Sequence, residues 1–343
     1  MRARDLGIAI GDLEPGPLNA ITDVAGVRVG HTTLVEGDDV RTGVTVVIPG
    51  ELPCFAAPFR LNGNGEVTGL QWMRESGLLT TPIAVTNTHS VGAVHEALVA
   101  AALVGDRSTW SLPVVAETWD GVLNDVNGFH VRPEHARAAL DSASDGSVPE
   151  GNVGGGTGMI CHGFKAGIGT ASRFADAHTV GVLVQANHGV RARLAIDGVP
   201  VGRMIGADRV PLPPRPALEG AGSIVVVVAT DAPLLPHQCE RVALRSMLGV
   251  ARTGGAGETS SGDFALAFAT GSTRKIEPMP SEAMNPLFYA AIEATEEAIV
   301  NALVAAETMS GLGGATAHAL PHDLLAVVMH RYGRSSTTIR ADA

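Results

Sequence analysis

A glycine–serine pair stands directly before a strongly apolar run, and the chemistry of the chain is predicted there. The pair is Gly222-Ser223, and the run that follows is Ile-Val-Val-Val-Val-Ala-Thr, residues 224–230. β-Branched side chains favour a strand, and the absence of alternation predicts that both faces of the strand are buried. Ser223 is then the first residue of that strand, beside the permissive backbone of Gly222.

A serine hydroxyl in this position can attack the carbonyl group of the residue before it. Attack by Ser223 on Gly222 gives an ester, and hydrolysis of the ester leaves Ser223 as a new N-terminus. Its hydroxyl is then a nucleophile, and its α-amine, with an ordinary pKa of about 7.7–8.0, is a base. The pair therefore predicts an α chain, residues 1–222, and a β chain, residues 223–343. Alternatively, Gly222-Ser223 simply begins a strand and is never cut.

The composition excludes several other classes of protein. The 343 residues are 45% hydrophobic and 17% charged, which is typical of a globular chain with a large core. The net charge is −11 and no basic patch is present, so nucleic acid is not expected as a partner. No membrane-spanning stretch and no apolar leader is visible, which predicts a cytoplasmic protein without a membrane partner.

The cysteines and histidines do not indicate a cofactor. Cys54, Cys161 and Cys239 are widely spaced and form no C-x-x-C motif. None of the histidine pairs has a convincing spacing for metal ligands. We therefore expect no disulfide framework, no metal and no cofactor.

Strands and helices that must position the glycine–serine pair alternate along the chain. An exposed, proline-rich loop over residues 199–222 leads to the pair, residues 60–65 form a turn cluster, and residues 254–262 form a polar loop. Their mixture on both sides of Ser223 predicts one domain of layered sheets and helices. The predicted strands are 83–86, 113–117, 179–186, 223–230 and 263–270, and the predicted helices are 91–104, 236 to about 250, and 286–306.

Two further segments carry polar or glycine-rich patterns. Asn187 ends a predicted strand, where its amide can donate a hydrogen bond into a cleft or simply belong to a turn. Residues 152–159, Asn-Val-Gly-Gly-Gly-Thr-Gly-Met, match neither a Walker loop nor a dinucleotide fingerprint. They predict close backbone packing near a site.

With Gly222-Ser223, Asn187 and Ser261-Gly262-Asp263 located, the chain resembles the DmpA-type family of self-processing serine hydrolases. This family comprises L-aminopeptidase/D-alanine esterase-amidases and β-peptidyl aminopeptidases. The resemblance covers essentially the whole chain and includes several long, irregular motifs. Those motifs are residues 26–32, 86–88, 116–118, 151–159, 184–187, 229–234 and 261–263.

The resemblance implies an architecture and partners. The fold class is α+β, a four-layer αββα sandwich similar in layering to N-terminal-nucleophile hydrolases. Residues 1–343 form a single self-processed hydrolase domain whose α and β chains remain associated. The αβ units commonly form a homotetramer, and the expected substrates are small peptides or aminoacyl amides.

The resemblance also implies roles for individual residues. Ser223 is the nucleophile, and Ser261 and Asp263 position and activate it. Asn187 donates to the oxyanion, and Glu117 pairs with the free amine of the substrate. Trp119 is a second substrate-binding position, where characterised members carry tyrosine. Its indole N–H still donates a hydrogen bond, but the phenolic hydroxyl is absent.

These residues predict an aminopeptidase or amidase that releases small N-terminal residues, L-, D- or β-, from peptides, amides or esters. The reaction passes through an acyl-enzyme on Ser223. One alternative is a self-processing acyltransferase of the ornithine acetyltransferase type, but such enzymes place threonine at the new N-terminus. The other alternative is a non-catalytic binding protein on the same fold, which the presence of Trp119 leaves open.

Overall fold

A computed structural model describes residues 1–103, 110–214, 222–271 and 277–335 of the chain. Its strands are β1 Arg28–Glu36, β2 Val40–Ile48, β3 Cys54–Gly63, β4 Leu78–Leu79, β5 Ile83–Asn87, β6 Val114–Thr118, β7 Ile160–Cys161, β8 Phe164–Lys165, β9 Ile168–Ala175, β10 His178–Asn187, β11 Gly222–Thr230, β12 Ser261–Ala269, β13 Met309–Ser310 and β14 Thr316–Ala317. Its α-helices are α1 Leu70–Ser76, α2 Val91–Ala102, α3 Pro133–Asp141, α4 Val201–Met204, α5 Pro236–Arg252, α6 Asn285–Val304 and α7 His322–Arg331.

Two sheets form the centre of the fold. A six-stranded sheet has the order β4-β3-β12-β11-β10-β9, and a four-stranded sheet has the order β1-β2-β5-β6. Strand β11 is an interior strand of the larger sheet, antiparallel to β10 and parallel to β12. Every residue of β11 is buried, which confirms the prediction that the apolar run after Ser223 has no solvent-exposed face.

Helices cover the outer face of each sheet, so the layers run helix, sheet, sheet, helix. Val225 and Val227 of β11 point between the sheets, whereas Val226 and Val228 point towards α5 and α6. On the other side, α2 and α3 cover the four-stranded sheet through a third apolar cluster. The alternation of β11 thus joins two hydrophobic layers, and the predicted α+β sandwich is confirmed.

The long helices agree closely with the sequence prediction. Helix α5 begins at Pro236, which suits the first helical position because proline has no N–H to offer there. Helix α6 is buried over nearly its whole length, since it packs against α5 on one side and against β9 and β10 on the other. Helix α2 ends at Ala102, and Val104, its predicted end, lies outside the described residues.

Two predicted loops, residues 60–65 and 254–262, were wrong in part. Residues 60–63 continue β3 instead of forming a turn, because they pair with β12. Ser261 and Gly262 belong to β12 instead of the preceding loop, because they pair with Gly222 and Ser223.

The proline-rich segment before the junction is less exposed than predicted. Residues Val201–Met204 form a short helix, and Val201, Ile205 and Val210 are buried in the apolar cluster under α5 and α6. Their apolar side chains anchor the segment to the core, so it is not a free loop. The last part of the segment, residues 215–221, lies outside the described residues.

Within the part of the chain that the structure describes, no helix has both the length and the apolarity needed to cross a bilayer.

Candidate active site

The glycine–serine junction lies at the beginning of β11, in the structure of the uncut chain. Ser223 is directly opposite Asn187 of β10, and it pairs with Gly262 of β12 on its other side. Directly opposed residues of antiparallel strands have Cβ atoms about 4.5–5.5 Å apart, so the Asn187 amide is within reach of the Gly222–Ser223 peptide bond. Ser223 is only 5% exposed, so the uncut junction is closed to solvent.

Glycine is required before the serine because β10 approaches the junction closely. A Cβ atom on Gly222 would lie 2.6 Å from the carbonyl oxygen of Asn187 and 2.9 Å from the Cα atom of His188. Both neighbours are backbone atoms and cannot move aside cheaply. The glycine therefore allows the junction to lie against the end of β10.

Two hydrogen bonds orient the Asn187 side chain. Its Oδ1 accepts from the backbone N–H of Ile160 at 2.8 Å, and its Nδ2 donates to the carbonyl oxygen of Trp119 at 2.8 Å. An amide nitrogen carries two N–H groups, and the structure describes no acceptor for the second one in residues 1–103, 110–214, 222–271 and 277–335. That N–H can stabilise an oxyanion at the neighbouring carbonyl.

The glycine-rich segment fixes the position of Ile160. Cβ atoms on Gly155, Gly156 and Gly158 would each lie within 2.6 Å of backbone atoms of other elements. The predicted close backbone packing near a site is therefore confirmed. The ammonium of the fully buried Lys165 donates to the carbonyl oxygens of Met159 (3.0 Å) and Ala166 (2.6 Å), and burial lowers the pKa of Lys165 to about 7.

Ser261 and Asp263 form a hydrogen-bonded pair on β12. The hydroxyl of Ser261 donates to Oδ1 of Asp263 at 2.6 Å. Burial raises the pKa of Asp263 to about 6, while the hydrogen bond from Ser261 and one from the Ile224 backbone act in the opposite direction. The carboxyl group is thus a group that titrates close to neutral pH.

The structure brings this pair to the level of Ser223 but into no hydrogen bond with it. Side chains alternate between the two faces of a strand. Gly262 is the strand partner of Ser223, so Ser261 and Asp263, on either side of Gly262, lie on the opposite face of the sheet from Ser223. The register of β12 against β3 shifts directly after Asp263, so the ladder is irregular at this point. An activating role for the pair remains a prediction.

Glu117 is buried near the end of β6. It is 4% exposed, its Oε1 accepts from the backbone N–H of Glu66 at 3.0 Å, and its Oε2 accepts from the hydroxyl of Thr88. Burial raises the pKa of Glu117, partly offset by these two hydrogen bonds. Across the described ranges, no lysine or arginine forms an ion pair with it.

Gly65 links Glu117 to the junction, although Glu117 belongs to the other sheet. A Cβ atom on Gly65 would lie 3.0 Å from Oε1 of Glu117 and 3.3 Å from the Cα atom of Gly262. Gly262 in turn pairs with Ser223. Stacking of the two sheets therefore places the carboxylate of Glu117 next to β12, the strand that pairs with Ser223.

Two clefts lie beside these residues. One, of about 660 Å³, is lined by Trp119 together with Leu212 and Leu312. The other, of about 460 Å³, is lined by Glu66 and Phe264 among others. Ser223 lines neither of these two clefts.

Trp119 has two separate contacts at this site. Its carbonyl oxygen holds Asn187, and its indole ring lies so close to Gly121 that a Cβ atom there would be 2.5 Å from the ring. The ring thus borders the larger of these two clefts, and the backbone holds the Asn187 side chain.

Sequence analysis missed Gly65, Thr88, Ile160 and Lys165. Each acts through a backbone group, a missing Cβ atom, a hydroxyl or an ammonium group, at positions far apart in the chain. None of them belongs to a local spacing that would indicate a catalytic role.

Comparisons with known proteins agree with this geometry. A sequence model of peptidase family S58 matches residues 19–317. The β-peptidyl aminopeptidase BapA of Sphingosinicella microcystinivorans is 46% identical over 368 residues, which cover 97% of this chain and 93% of that protein. These matches confirm the resemblance that the motifs indicated.

Two solved structures are similar over almost the whole chain. A β-aminopeptidase from Burkholderia sp. is 51% identical with a TM-score of 0.89, covering 97% of this chain and 99% of that one. The L-aminopeptidase D-Ala-esterase/amidase from Ochrobactrum anthropi is 41% identical with a TM-score of 0.88, covering 98% and 99%. The latter is described as a prototype for the serine aminopeptidases and a variant of the Ntn hydrolase fold.

Proposed function

The chain belongs to peptidase family S58, and from this premise we propose that its active site is the Gly222–Ser223 junction. The chain is a serine aminopeptidase. The position of Asn187 directly opposite Ser223 is the observation that carries the proposed site. It puts an amide donor beside the one peptide bond that the serine hydroxyl can attack from within its own strand.

Self-cleavage begins with addition of the Ser223 hydroxyl to the carbonyl carbon of Gly222. The spare N–H of Asn187 stabilises the oxyanion of the tetrahedral intermediate. The C–N bond then breaks, the nitrogen of Ser223 takes the proton, and an ester joins Gly222 to Oγ of Ser223. Water hydrolyses this ester, which gives a carboxylate on Gly222 and a free α-amine on Ser223.

The two products stay together as one domain, an α chain of residues 1–222 and a β chain of residues 223–343. Strands β10 and β3 of the α chain flank β11 and β12 of the β chain through hydrogen-bonded ladders along most of their length. Cleavage removes a single covalent bond and leaves these ladders intact.

Turnover of a substrate uses the same groups. The α-amine of Ser223 accepts the hydroxyl proton, the hydroxyl attacks the substrate carbonyl, and Asn187 stabilises the oxyanion. The leaving amine takes the proton, and water then hydrolyses the acyl-enzyme. We assign the Ser261–Asp263 pair to positioning the nucleophile, since it lies at the level of Ser223 without a direct bond to it.

Glu117 binds the free ammonium group of the substrate. It is buried, it is held by two neutral donors, and it has no lysine or arginine partner among the described residues, so an incoming ammonium completes an ion pair. Because the Glu117 carboxylate lies near Ser223, the site selects substrates with a free N-terminus.

The substrates are small N-terminal residues of peptides or aminoacyl amides, with β-aminoacyl residues the first class to test. Two relatives named as β-aminopeptidases are 46% and 51% identical, against 41% for the L-aminopeptidase D-Ala-esterase/amidase. The ring of Trp119 beside the site limits the size of the first residue. An acyltransferase of the ornithine acetyltransferase type is disfavoured because the nucleophile is serine.

Intact-mass spectrometry tests the proposed site. The purified enzyme is expected to give the masses of residues 1–222 and 223–343, and the Ser223→Ala variant is expected to remain one chain without activity. Ser111→Ala, an alteration of a serine outside the junction, is the matched control and is expected to be cut normally. Full activity in an uncut chain would overturn the proposal.

We also propose a homotetramer of αβ units in the cytoplasm, on the strength of the family resemblance. Light scattering of the processed enzyme is expected to give the mass of four αβ units. A single αβ unit at working concentration would contradict this assembly.

A further inference from the structure

Three buried side chains that the proposed mechanism does not use meet close to the junction. They are Cys161 at the end of β7, His162 in the turn that follows, and His188 directly after Asn187. Their relative exposures are 0%, 0% and 3%. The Sγ atom of the cysteine and one ring nitrogen of each histidine all lie within 4.8 Å of one another.

Both histidines leave a ring nitrogen without a partner. Nδ1 of His162 lies 3.2 Å from the carbonyl oxygen of Val190, so this nitrogen carries the proton and donates. Nδ1 of His188 contacts Sγ of Cys161 at 3.6 Å. Nε2 of each ring is buried and has no hydrogen-bond partner in the described part of the chain. The unsatisfied Nε2 of His162 is costly to bury unless something binds there, and His188 presents its Nδ1 atom to the sulfur.

The protonation states suit a cation. Burial lowers the pKa of His162 to about 4 and that of His188 well below its ordinary value, where His162 also contributes. Both rings are therefore neutral at pH 7, which is the form that ligates a metal. Burial raises the pKa of Cys161 to about 12, so the thiol keeps its proton until a cation displaces it.

We propose that Cys161, His162 and His188 form a binding site for a thiophilic divalent cation such as Zn²⁺. Bond lengths of about 2.3 Å to sulfur and about 2.0–2.1 Å to nitrogen in a tetrahedral site place the sulfur and nitrogen ligands about 3.6 Å apart. The distance between Sγ of Cys161 and Nδ1 of His188 is 3.6 Å. Binding replaces the S–H bond by an S–metal bond and releases one proton to solvent, with no change of oxidation state.

The surrounding chain holds the ligands in place. The backbone N–H of His162 donates to the carbonyl oxygen of His188 at 2.7 Å, which joins the two ligand segments. Arg191, which donates to the carbonyl oxygen of His162 at 3.0 Å, is the nearby cation that opposes binding. The thiolate formed on binding compensates part of the metal charge. Local spacing did not indicate this site because His188 lies in a different segment of the chain from Cys161 and His162.

Cobalt substitution and metal analysis test the site without reference to activity. The processed enzyme is expressed with added Zn²⁺, dialysed and analysed by mass spectrometry of metals; a second sample is titrated with Co²⁺ and its absorption recorded. We expect one zinc per αβ unit. The cobalt sample should show a thiolate-to-cobalt charge-transfer band together with tetrahedral d–d bands.

Variants separate this site from other thiols. Cys161→Ser is expected to lose the charge-transfer band. It is also expected to bind zinc at least about tenfold more weakly, because loss of even a supporting interaction at a metal site lowers the affinity by about that factor. Cys54→Ser, which removes a buried thiol elsewhere, is the matched control and is expected to keep both signals. If the Cys161 variant fails to fold, the wild-type cobalt spectrum decides. No zinc and no thiolate band in the wild type, or equal signals in both variants, would overturn the proposal.

Discussion

Two regions of this molecule hold buried acidic side chains in opposite surroundings. In the first region, which we call the paired cluster, Arg173 and Arg4 lie against Glu293 and Glu297 of α6. Arg4 Nε is 2.9 Å from Glu297 and Arg173 Nε is 3.3 Å from Glu293. Burial alone would raise the pKa of Glu297, yet the two guanidinium groups hold it below its ordinary value.

The second region contains Glu117 and Asp263, which we call the unpaired carboxylates. Both are held by neutral donors only, and burial raises the pKa of each. The comparison teaches that burial alone does not assign a role to an acid. Where arginine compensates the charge, the acid joins elements of the fold; where no cation does, the acid is available to a substrate or to a proton.

Removal of the cation from the paired cluster should have the largest effect on stability. Arg173→Met leaves Glu293 uncompensated and leaves Glu297 with Arg4 alone, so the free energy of unfolding is expected to fall by about 3–5 kcal/mol. Urea denaturation in the uncut Ser223→Ala chain measures this without interference from processing.

Arg137→Met is the matched control for that measurement. Arg137 pairs with Asp141 one helical turn away, and their side chains are 54% and 71% exposed. Its loss is expected to change the free energy of unfolding by no more than about 0.5 kcal/mol. Equal losses in the two variants would show that the paired cluster is not a special stabilising feature.

Removal of a neutral donor from an unpaired carboxylate should act on catalysis instead. Thr88→Val deletes the hydroxyl that donates to Oε2 of Glu117, and hydrogen bonds to charged groups contribute about 1.5–3 kcal/mol. The kcat/KM for free-amine substrates is therefore expected to fall about 10- to 100-fold, measured by initial rates.

Thr22→Val serves as the control for that variant, because the Thr22 hydroxyl donates to Gly146 far from the junction. It is expected to retain full activity. A Thr88→Val effect that is the same for N-acetylated substrates would mean that Thr88 does not act through Glu117.

The pH dependence of self-cleavage should report Asp263. Its raised pKa means that the group gains a proton as the pH falls through about 6, and the protonated acid no longer accepts the full charge-assisted bond from Ser261. In an Asn187→Ala precursor, slowed about 10²- to 10³-fold by loss of the oxyanion donor, the cleavage rate can be followed on gels.

We expect that rate to fall about tenfold per pH unit below about pH 6, because one proton inactivates the pair. The same precursor carrying Glu117→Gln should show an unchanged profile, since no substrate amine takes part in self-cleavage. A rate that is flat across pH 6 would remove Asp263 from the reaction.

Much of this architecture was predictable from local sequence. The β-branched run of β11 and the proline at the start of α5 act through short-range preferences, and both lie where they were expected. The family motifs supplied the layer order, which no local pattern contains.

The remaining features depend on contacts between distant segments. Pairing with Gly222 and Ser223 drew Ser261 and Gly262 into β12, and pairing with β12 extended β3 through a predicted turn. Glu117 reaches the junction only because Gly65 lets two sheets approach each other. No spacing within one segment of the sequence encodes such cross-sheet contacts.

Kinetics of Glu117→Gln on matched free-amine and N-acetylated substrates test most directly whether the unpaired carboxylate binds the substrate amine. The amide keeps the shape of Glu117 but removes the charge that an ammonium would meet. For free-amine substrates, kcat/KM is expected to fall by about 2–4 kcal/mol, or about 30- to 1,000-fold, with self-cleavage intact. N-acetylated substrates, poor for the wild type, should lose little more. Glu66→Gln, the same charge change on an exposed neighbour, should lose less than about threefold. An equal fall for both substrates in Glu117→Gln would contradict the account and make Glu117 a structural residue.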